Sequence, residues 1–348
     1  MATGTAIVLS GGMLSEINAK TTHGLLRGSE RFEILAVIDS NHAGKDAGEV
    51  MDGRHCNIPV YATIDEALQK VSVLPDFCIV GVATIGGVLP PSILDEIREA
   101  LMHGISIING LHDFLSERPD ILKLSQANAA MLIDVRKPKR RAELHFWEGK
   151  IYQVTAPIVA VMGMDCATGK RTTARFLRDA CRAKGKNAHM IYTGQTGWMQ
   201  GGEYGFIFDS TLNDFISGEL EHAIVSCWEE TQADIIFLEG QSALRNPSGP
   251  CGPEFLISGN AKKVVLVVPI KREFYDDLPE WGRIPSVESE IALINAYGAE
   301  VVAVALNTQG ATGEEIEQYK KEKEAALGIP VVAPLEEGVE GILAVLSI

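Results

Sequence analysis

The sequence predicts an α/β protein with two domains, each built on a parallel β-sheet. Short apolar runs that end in glycine or polar residues alternate with helical segments along the whole chain, as in parallel sheets. The chain has 348 residues, which is more than one hydrophobic core usually supports. We therefore expect a first domain over residues 1–136, a linker over 137–155 and a second domain over 156–348.

Composition and charge restrict the classes of partner. Hydrophobic residues make up 46% of the chain and charged residues 22%, as in globular proteins with ample core. The net charge of −15 argues against nucleic acid or an anionic membrane as the main partner. Six scattered cysteines without CxxC spacing, no targeting segment and no apolar run of the ~18 residues that a membrane span needs predict a cytoplasmic protein with reduced thiols.

The N-terminal part begins with a strand over residues 5–10, followed by the turn Gly11-Gly12 and a helix. A second strand, Ile34 to Ile38, ends at Asp39. An acidic residue at this position is where a Rossmann-type domain contacts a ribose, so Asp39 is a candidate cofactor-binding residue in a Rossmann-like domain. The absence of GxGxxG disfavours a dehydrogenase.

The rest of the first domain continues the strand and helix order. His112 follows a strand, at the sheet edge where open parallel sheets bind ligands, and it could either orient a ligand or fill a loop. The predicted elements are a helix from Ile64 to Lys70, a strand from Phe77 to Val82, a helix from Ser92 to Met102, a strand from Ser106 to Ile108 and a closing strand from Leu132 to Arg136.

The second domain begins with the buried strand Ile158 to Met162, a glycine-rich turn over residues 163–173, and a helix from Ala174 to about Lys184. Glycines let backbone amides turn towards an anion, the helix N-terminus adds partial positive charge, and Lys170 can reach a phosphate. The candidate cofactor-binding residues of this turn are Gly163, Asp165, Cys166, Ala167, Thr168, Gly169, Lys170, Arg171, Thr172 and Thr173. The Gly-x-Asp opening and the longer spacing resemble the dethiobiotin synthetase branch of P-loop proteins, which phosphorylate or ligate small carboxylates.

Later strand ends add further candidates. The strand His189 to Tyr192 leads into a polar loop that offers Gln195 to a cofactor and Thr193, Gly194 and Thr196 to a substrate. The strand Asp234 to Leu238 ends in Glu239, which has the form of a Walker B carboxylate and predicts a magnesium site with Thr172. Asp209 is a second candidate carboxylate, Gln241 and Arg245 are candidate substrate contacts, and the irregular segment 272–285 is a candidate lid.

Taken together, several motifs resemble the family catalogued as domain of unknown function 1611. They are Ala19-Lys20-Thr21-Thr22-His23-Gly24-Leu25-Leu26-Arg27, Val37-Ile38-Asp39-Ser40, Gly110-Leu111-His112-Asp113-Phe114-Leu115, Asp134-Val135-Arg136-Lys137-Pro138, Gly163 to Lys170, Thr193-Gly194-Gln195-Thr196-Gly197, Asp214-Phe215 and Glu239-Gly240-Gln241. The resemblance implies a Rossmann-like domain followed by a P-loop domain. It also implies N-acetyl transfer from acetyl-CoA to D-glutamate, although members have been labelled NAD-dependent epimerase/dehydratase. The chain departs from the family after Gln241, where it reads Ser-Ala-Leu.

Three functions follow as hypotheses. The first is transfer of an acetyl group from acetyl-CoA to a small acidic amino acid, with His112, Asp209 or Glu239 as the base. The second is ATP- and magnesium-dependent ligation or phosphorylation of a small carboxylate. The third is nucleotide sensing without turnover. A homo-oligomer is expected for such an enzyme.

Overall fold

The computed structural model describes residues 2–347, which form two compact units. The first unit comprises the chain up to Pro138 together with Gln195–Gly201, and the second comprises Lys139–Gly194 and the chain from Gly202 onwards. No helix within residues 2–347 is both long enough and apolar enough to span a bilayer.

The first unit is a six-stranded parallel sheet in the order β3-β2-β1-β4-β5-β6. Buried apolar residues cover both faces of the sheet, which accounts for the near-continuous apolar strands in the sequence. The elements are β1 (Gly4–Leu9), α1 (Lys20–Leu26), β2 (Phe32–Ile38), α2 (Ala47–Asp52), β3 (Val60–Tyr61), α3 (Ile64–Lys70), β4 (Phe77–Val80), α4 (Pro91–Met102), β5 (Ser106–Asn109), α5 (Pro119–Ala127) and β6 (Leu132–Asp134). This order and the parallel strands confirm the predicted Rossmann-like sheet.

The second unit is another six-stranded parallel sheet, in the order β12-β11-β10-β7-β9-β8. Its elements are β7 (Ile158–Gly163), α6 (Lys170–Ala183), β8 (Ala188–Ile191), α8 (Asn213–Thr231), β9 (Ile235–Glu239), α9 (Pro253–Leu256), β10 (Lys263–Pro269), α10 (Val287–Ala296), β11 (Glu300–Asn307), α11 (Gly313–Leu327), β12 (Val331–Val332), α12 (Pro334–Glu337) and α13 (Glu340–Leu346). The short helix α7 (Gln195–Met199) follows β8 in the sequence and belongs to the first unit. Because β7 pairs with both β9 and β10, the glycine-rich turn leaves the centre of the sheet.

Most of the predicted linker belongs to the second unit, from Lys139 onwards. Two buried carboxylates of α8 accept hydrogen bonds from the backbone of this segment. Glu219 accepts from the amide of His145 at 2.8 Å, and Glu221 accepts from the amide of Ile151 at 3.0 Å. A buried carboxylate is stable when it accepts such hydrogen bonds. The segment is therefore an ordered part of the second unit.

Two local predictions need correction. The helix α6 begins at Lys170, four residues before the predicted Ala174, because Gly169 adopts a left-handed conformation (φ 105°) that ends the turn abruptly. The predicted loop after β8 contains the short helix α7, and residues 195–201 pack in the first unit. The hydroxyl of Thr196, for example, forms a hydrogen bond with the hydroxyl of Thr21 at 2.9 Å.

Candidate functional site

The turn between β7 and α6 carries a row of amides with unused hydrogen-bonding capacity. Within residues 2–347, no protein acceptor receives the backbone N–H groups of Cys166, Ala167, Thr168 and Gly169. Ala167 and Gly169 have positive φ values of 50° and 105°, and such alternation turns successive amides towards a common point. Together with the N-terminus of α6, this arrangement is suited to bind an anion.

Lys170 supplies the charged group of this site. Its Nζ donates to the carbonyl oxygens of Asp165 at 2.6 Å and Ser242 at 2.8 Å, and the residue is only 7% exposed. Its aliphatic chain passes close to two glycines: a Cβ at Gly163 would lie 3.0 Å from Lys170 Cδ, and one at Gly240 would lie 3.2 Å from the same atom. Both glycines therefore leave room for the lysine between the ends of β7 and β9.

We expect Gly240→Ala to destabilise the protein and to weaken anion binding. The added methyl group would lie 2.3 Å from the carbonyl oxygen of Val161, and relieving this overlap should cost about 1–3 kcal/mol. Chemical denaturation measures this loss of stability. Gly313→Ala is the matched control, because nothing lies within 4 Å of its added methyl at the start of α11, and helix propensity makes it neutral or slightly stabilising. Equal stability of the two variants would contradict the assigned packing.

Asp165, predicted to contact the cofactor, is fully buried and acts within the protein. Its Oδ1 accepts from Asn246 Nδ2 at 2.8 Å, and its Oδ2 accepts from Arg272 at 2.6 Å and from the amide of Asp276 at 2.8 Å. A carboxylate with this many donors has little capacity left for a ligand. Asp165 thus anchors the segment after β10 to the glycine-rich turn.

Glu239 ends β9 beside the same turn and is 4% exposed. Its Oε2 accepts from the amide of Thr193 at 3.0 Å, while Thr193 Oγ1 donates to the carbonyl of Glu239 and accepts from Gln241 Nε2. Burial raises the pKa of the Glu239 carboxyl, and the nearby Arg171 and Lys170 oppose this rise. A buried carboxyl with a raised pKa beside an anion site is a candidate general base. The predicted substrate residue Gly194 also lies here, close to Gln241.

The structure assigns Arg245 to a partner within the protein. Its Nε and Nη2 donate to Oε2 of the buried Glu290, at 2.8 and 2.6 Å, and its Nη1 donates to Ser289 at 2.9 Å. The guanidinium therefore stabilises the packing of α10. The predicted contact with a substrate carboxylate would require this ion pair to break, which is unfavourable for a buried carboxylate.

Arg245→Met should lower the free energy of unfolding at pH 7 by about 2–3 kcal/mol, because a charged hydrogen-bond partner of Glu290 is lost. Burial raises the pKa of Glu290 and Arg245 lowers it, so the variant raises this pKa further. Because the folded-state pKa of this carboxyl is raised, the folded protein loses stability as pH increases. The difference in the free energy of unfolding between variant and wild type should therefore shrink towards pH 4.5. Unfolding at both pH values measures this. Arg98→Met, which removes two exposed ion pairs with Asp95 and Asp120, should change stability far less, and a loss equal to that of Arg245→Met would refute the assignment.

Asp39 lies in the first unit and stabilises the turns that follow β1 and β2. Its Oδ2 accepts from Ser10 Oγ at 2.7 Å and the amide of Leu14 at 2.9 Å, while Oδ1 bonds the amide of Asn41 and the ring of His42. These four bonds use the lone pairs of the carboxylate. We therefore assign Asp39 a structural role, and its contact with a ribose stays a prediction.

The remaining predicted residues are distributed over both units. His112 is exposed in the first unit, where its ring lies against Gly87, and Asp209 is exposed on a single helical turn of the second unit. Gln195 is buried in the first unit near Gly110. Thr172 and Thr173 lie in the first turn of α6 with Arg171. Within the second unit, the structure brings together the turn, Glu239, Thr193, Gly194 and Gln241.

Sequence reasoning missed Arg272 and Asn307, which both contact the turn. Arg272 Nη1 donates to the carbonyl of Cys166 at 2.8 Å, and Asn307 Nδ2 donates to the carbonyl of Thr168 at 3.0 Å. Both residues lie at or just after the carboxyl ends of β10 and β11, the same edge as the turn. A position at the carboxyl end of a parallel strand is therefore the feature of the sequence that indicates both as site residues.

Comparison with known proteins places both units. Residues 40–138 match the model described as the DUF1611_N Rossmann-like domain, and residues 145–343 match the DUF1611_C P-loop domain. A crystal structure of a DUF1611 family protein from Anabaena variabilis is 28% identical and superposes with a TM-score of 0.88, covering 99% of each chain.

Two curated relatives carry an enzyme name. A D-glutamate N-acetyltransferase of a Pseudoalteromonas species is 31% identical over 273 residues, covering 76% of this chain and 80% of the relative. A protein of the same name from Tritonibacter scottomollicae is 30% identical over 267 residues, covering 75% and 78%. The chain therefore belongs to the DUF1611 family, with an N-terminal Rossmann-like domain and a C-terminal P-loop domain.

Proposed function

We propose that this protein transfers an acetyl group from acetyl-CoA to the amino group of a small acidic amino acid, with D-glutamate as the first candidate. The observation that carries the proposal is the turn between β7 and α6, whose four amides lack protein acceptors within residues 2–347 and lie next to Lys170. CoA contains a diphosphate, which such a turn can hold as well as it holds a nucleotide. The two relatives named D-glutamate N-acetyltransferase support the choice of reaction.

In this proposal, the amides of residues 166–169 and the Lys170 ammonium hold the diphosphate of the acetyl donor. Glu239 accepts a proton from the ammonium group of the amino acid, because its buried carboxylate has a raised pKa and so a greater affinity for protons. The freed amine attacks the thioester carbonyl and forms the C–N bond, and the C–S bond breaks. The departing sulfur takes up the proton that the attacking nitrogen loses, so CoA leaves as its thiol. Neither hydrolysis of a phosphate nor a metal is needed for this balance.

ATP- and magnesium-dependent ligation or phosphorylation is the second candidate. It is favoured by the position of Glu239 at the end of β9, beside the phosphate turn, where P-loop enzymes place a carboxylate for magnesium. Thr172 and Glu239 would then hold the metal, and Lys170 would contact the transferred phosphoryl group. A hydroxyl and a carboxylate are suitable ligands for magnesium.

Product formation separates the two proposals. The full-length protein is incubated with acetyl-CoA and D-glutamate, L-glutamate, D-aspartate or buffer, and the released thiol and the acetylated amino acid are quantified. We expect stoichiometric thiol and N-acetyl amino acid with an acidic substrate. If ATP with magnesium, and not acetyl-CoA, raises the melting temperature and is consumed with a carboxylate, acetyl transfer is refuted. Nucleotide binding without any product would favour a sensor.

A further inference from the structure

The carbonyl groups of the phosphate turn are held by side chains from neighbouring strands. Arg272, just after β10, binds the carbonyl of Cys166, and Asn307, at the end of β11, binds the carbonyl of Thr168. Within the turn, the Thr168 hydroxyl and Lys170 bind the carbonyl of Asp165. Three of the carbonyl groups between residues 165 and 168 are thus engaged by side-chain donors.

These contacts determine where the amides point. In a trans peptide the C=O of one residue and the N–H of the next lie in the same plane and point in opposite directions. When Arg272 holds the Cys166 carbonyl, the Ala167 amide must face away from Arg272. When Asn307 holds the Thr168 carbonyl, the Gly169 amide must face away from Asn307. Both amides belong to the four that lack protein acceptors in the described chain.

Both donors are themselves held in place. Arg272 is 6% exposed at its side chain, and the buried Asp165 carboxylate binds its Nη1 at 2.6 Å. Asn307 Oδ1 accepts from the amide of Gln309 at 3.1 Å, which directs its Nδ2 towards the turn. Asp276 and Asp277 have positive φ values of 51° and 61°, and Asp165 accepts from the amide of Asp276. The protein therefore maintains a strained segment next to Arg272, as is common at functional sites.

We propose that Arg272 and Asn307 are positioning residues that fix the peptide planes of the turn, so that the Ala167 and Gly169 amides are aligned for a diphosphate before it binds. This inference rests on the proposed function of the turn as the diphosphate site. Without the two donors, a peptide can rotate and present its carbonyl oxygen to the anion, which both removes a donor and adds repulsion. Preorganised donors avoid this reorganisation.

The test measures binding of inorganic pyrophosphate and of CoA to the full-length protein by calorimetry. Asn307→Leu keeps the size of the side chain and removes the donor, and we expect about a tenfold higher Kd for both ligands. Arg272→Met should raise both Kd values by at least as much, and Arg272→Lys, which retains a donor, should recover part of the loss. The Michaelis constant for acetyl-CoA should rise in parallel, with that for the amino acid unchanged.

Matched controls are Arg283→Met, in the same segment but largely exposed, and Asn295→Leu, on the exposed side of α10. Melting temperatures of the unliganded variants show whether each remains folded. Wild-type Kd values in both Asn307→Leu and Arg272→Met would overturn the positioning role, as would equal rises in both Michaelis constants. If the wild type binds pyrophosphate without transferring acetyl groups, the proposed function fails while the Kd comparison still decides the role of Arg272 and Asn307. If the wild type binds neither ligand, both fail.

Discussion

Lys170→Ala is expected to weaken the binding of acetyl-CoA by about 30- to 1000-fold, since removing one partner of a buried charge pair costs about 2–4 kcal/mol. The ammonium group lies at the turn, where it donates to two neutral carbonyl oxygens, and a diphosphate is a far stronger partner. Calorimetry with acetyl-CoA and with pyrophosphate measures the loss. Thermal stability of the unliganded protein should change much less than ligand-induced stabilisation does.

Lys184→Ala is the matched control for this variant. Lys184 lies at the other end of α6, is 40% exposed and pairs with Glu340 on the surface. Its removal changes the net charge by the same amount, and the affinity should stay within about threefold of the wild type. Equal losses in the two variants would show that the effect is one of overall charge, and unchanged affinity in Lys170→Ala would refute the assigned site.

Glu239→Gln is expected to lower kcat by about 10²- to 10⁴-fold while acetyl-CoA still binds, because the amide cannot accept the amine proton. The neutral side chain also removes the cost of a buried charge. The raised pKa of Glu239 means that the folded protein loses stability as pH rises above 4.5 through the folded-state value. At pH 7 the variant should therefore melt at a higher temperature than the wild type.

The pH profile provides a further check on this base. Activity requires deprotonated Glu239, so kcat should increase with pH along a limb centred above pH 4.5, and this limb should be absent from the residual activity of Glu239→Gln. Asp209→Asn and His112→Ala test the two exposed alternatives. If either of these variants loses activity as Glu239→Gln is expected to, and Glu239→Gln retains it, then Glu239 is not the base.

The central parts of the candidate site could be predicted because they are local in sequence. Strand, glycine turn, lysine and helix are consecutive from β7 to α6, and Glu239 directly ends an apolar strand. The roles of Arg245 and Asp165 could not be predicted in this way, because their partners Glu290 and Arg272 are far away in sequence. A charged residue in a polar loop looks the same whether it binds a ligand or a buried residue of its own chain.

The fold shows the same limit. Both parallel sheets follow from the repeated strand and helix order, whereas the membership of residues 195–201 in the first unit depends on nonlocal contacts. The hydrogen bond between Thr196 and Thr21 spans 175 positions, and that between Gln200 and the carbonyl of Gly24 spans 176. Such pairings leave no periodic signal in a single sequence.

The most direct measurement is a crystal structure of the protein with CoA bound. We predict that the diphosphate lies within hydrogen-bonding distance of the amides of residues 166–169, with Lys170 Nζ moved from its carbonyl partners to a phosphate oxygen. A structure in which CoA binds elsewhere, and Lys170 still donates to the carbonyls of Asp165 and Ser242, would contradict the account.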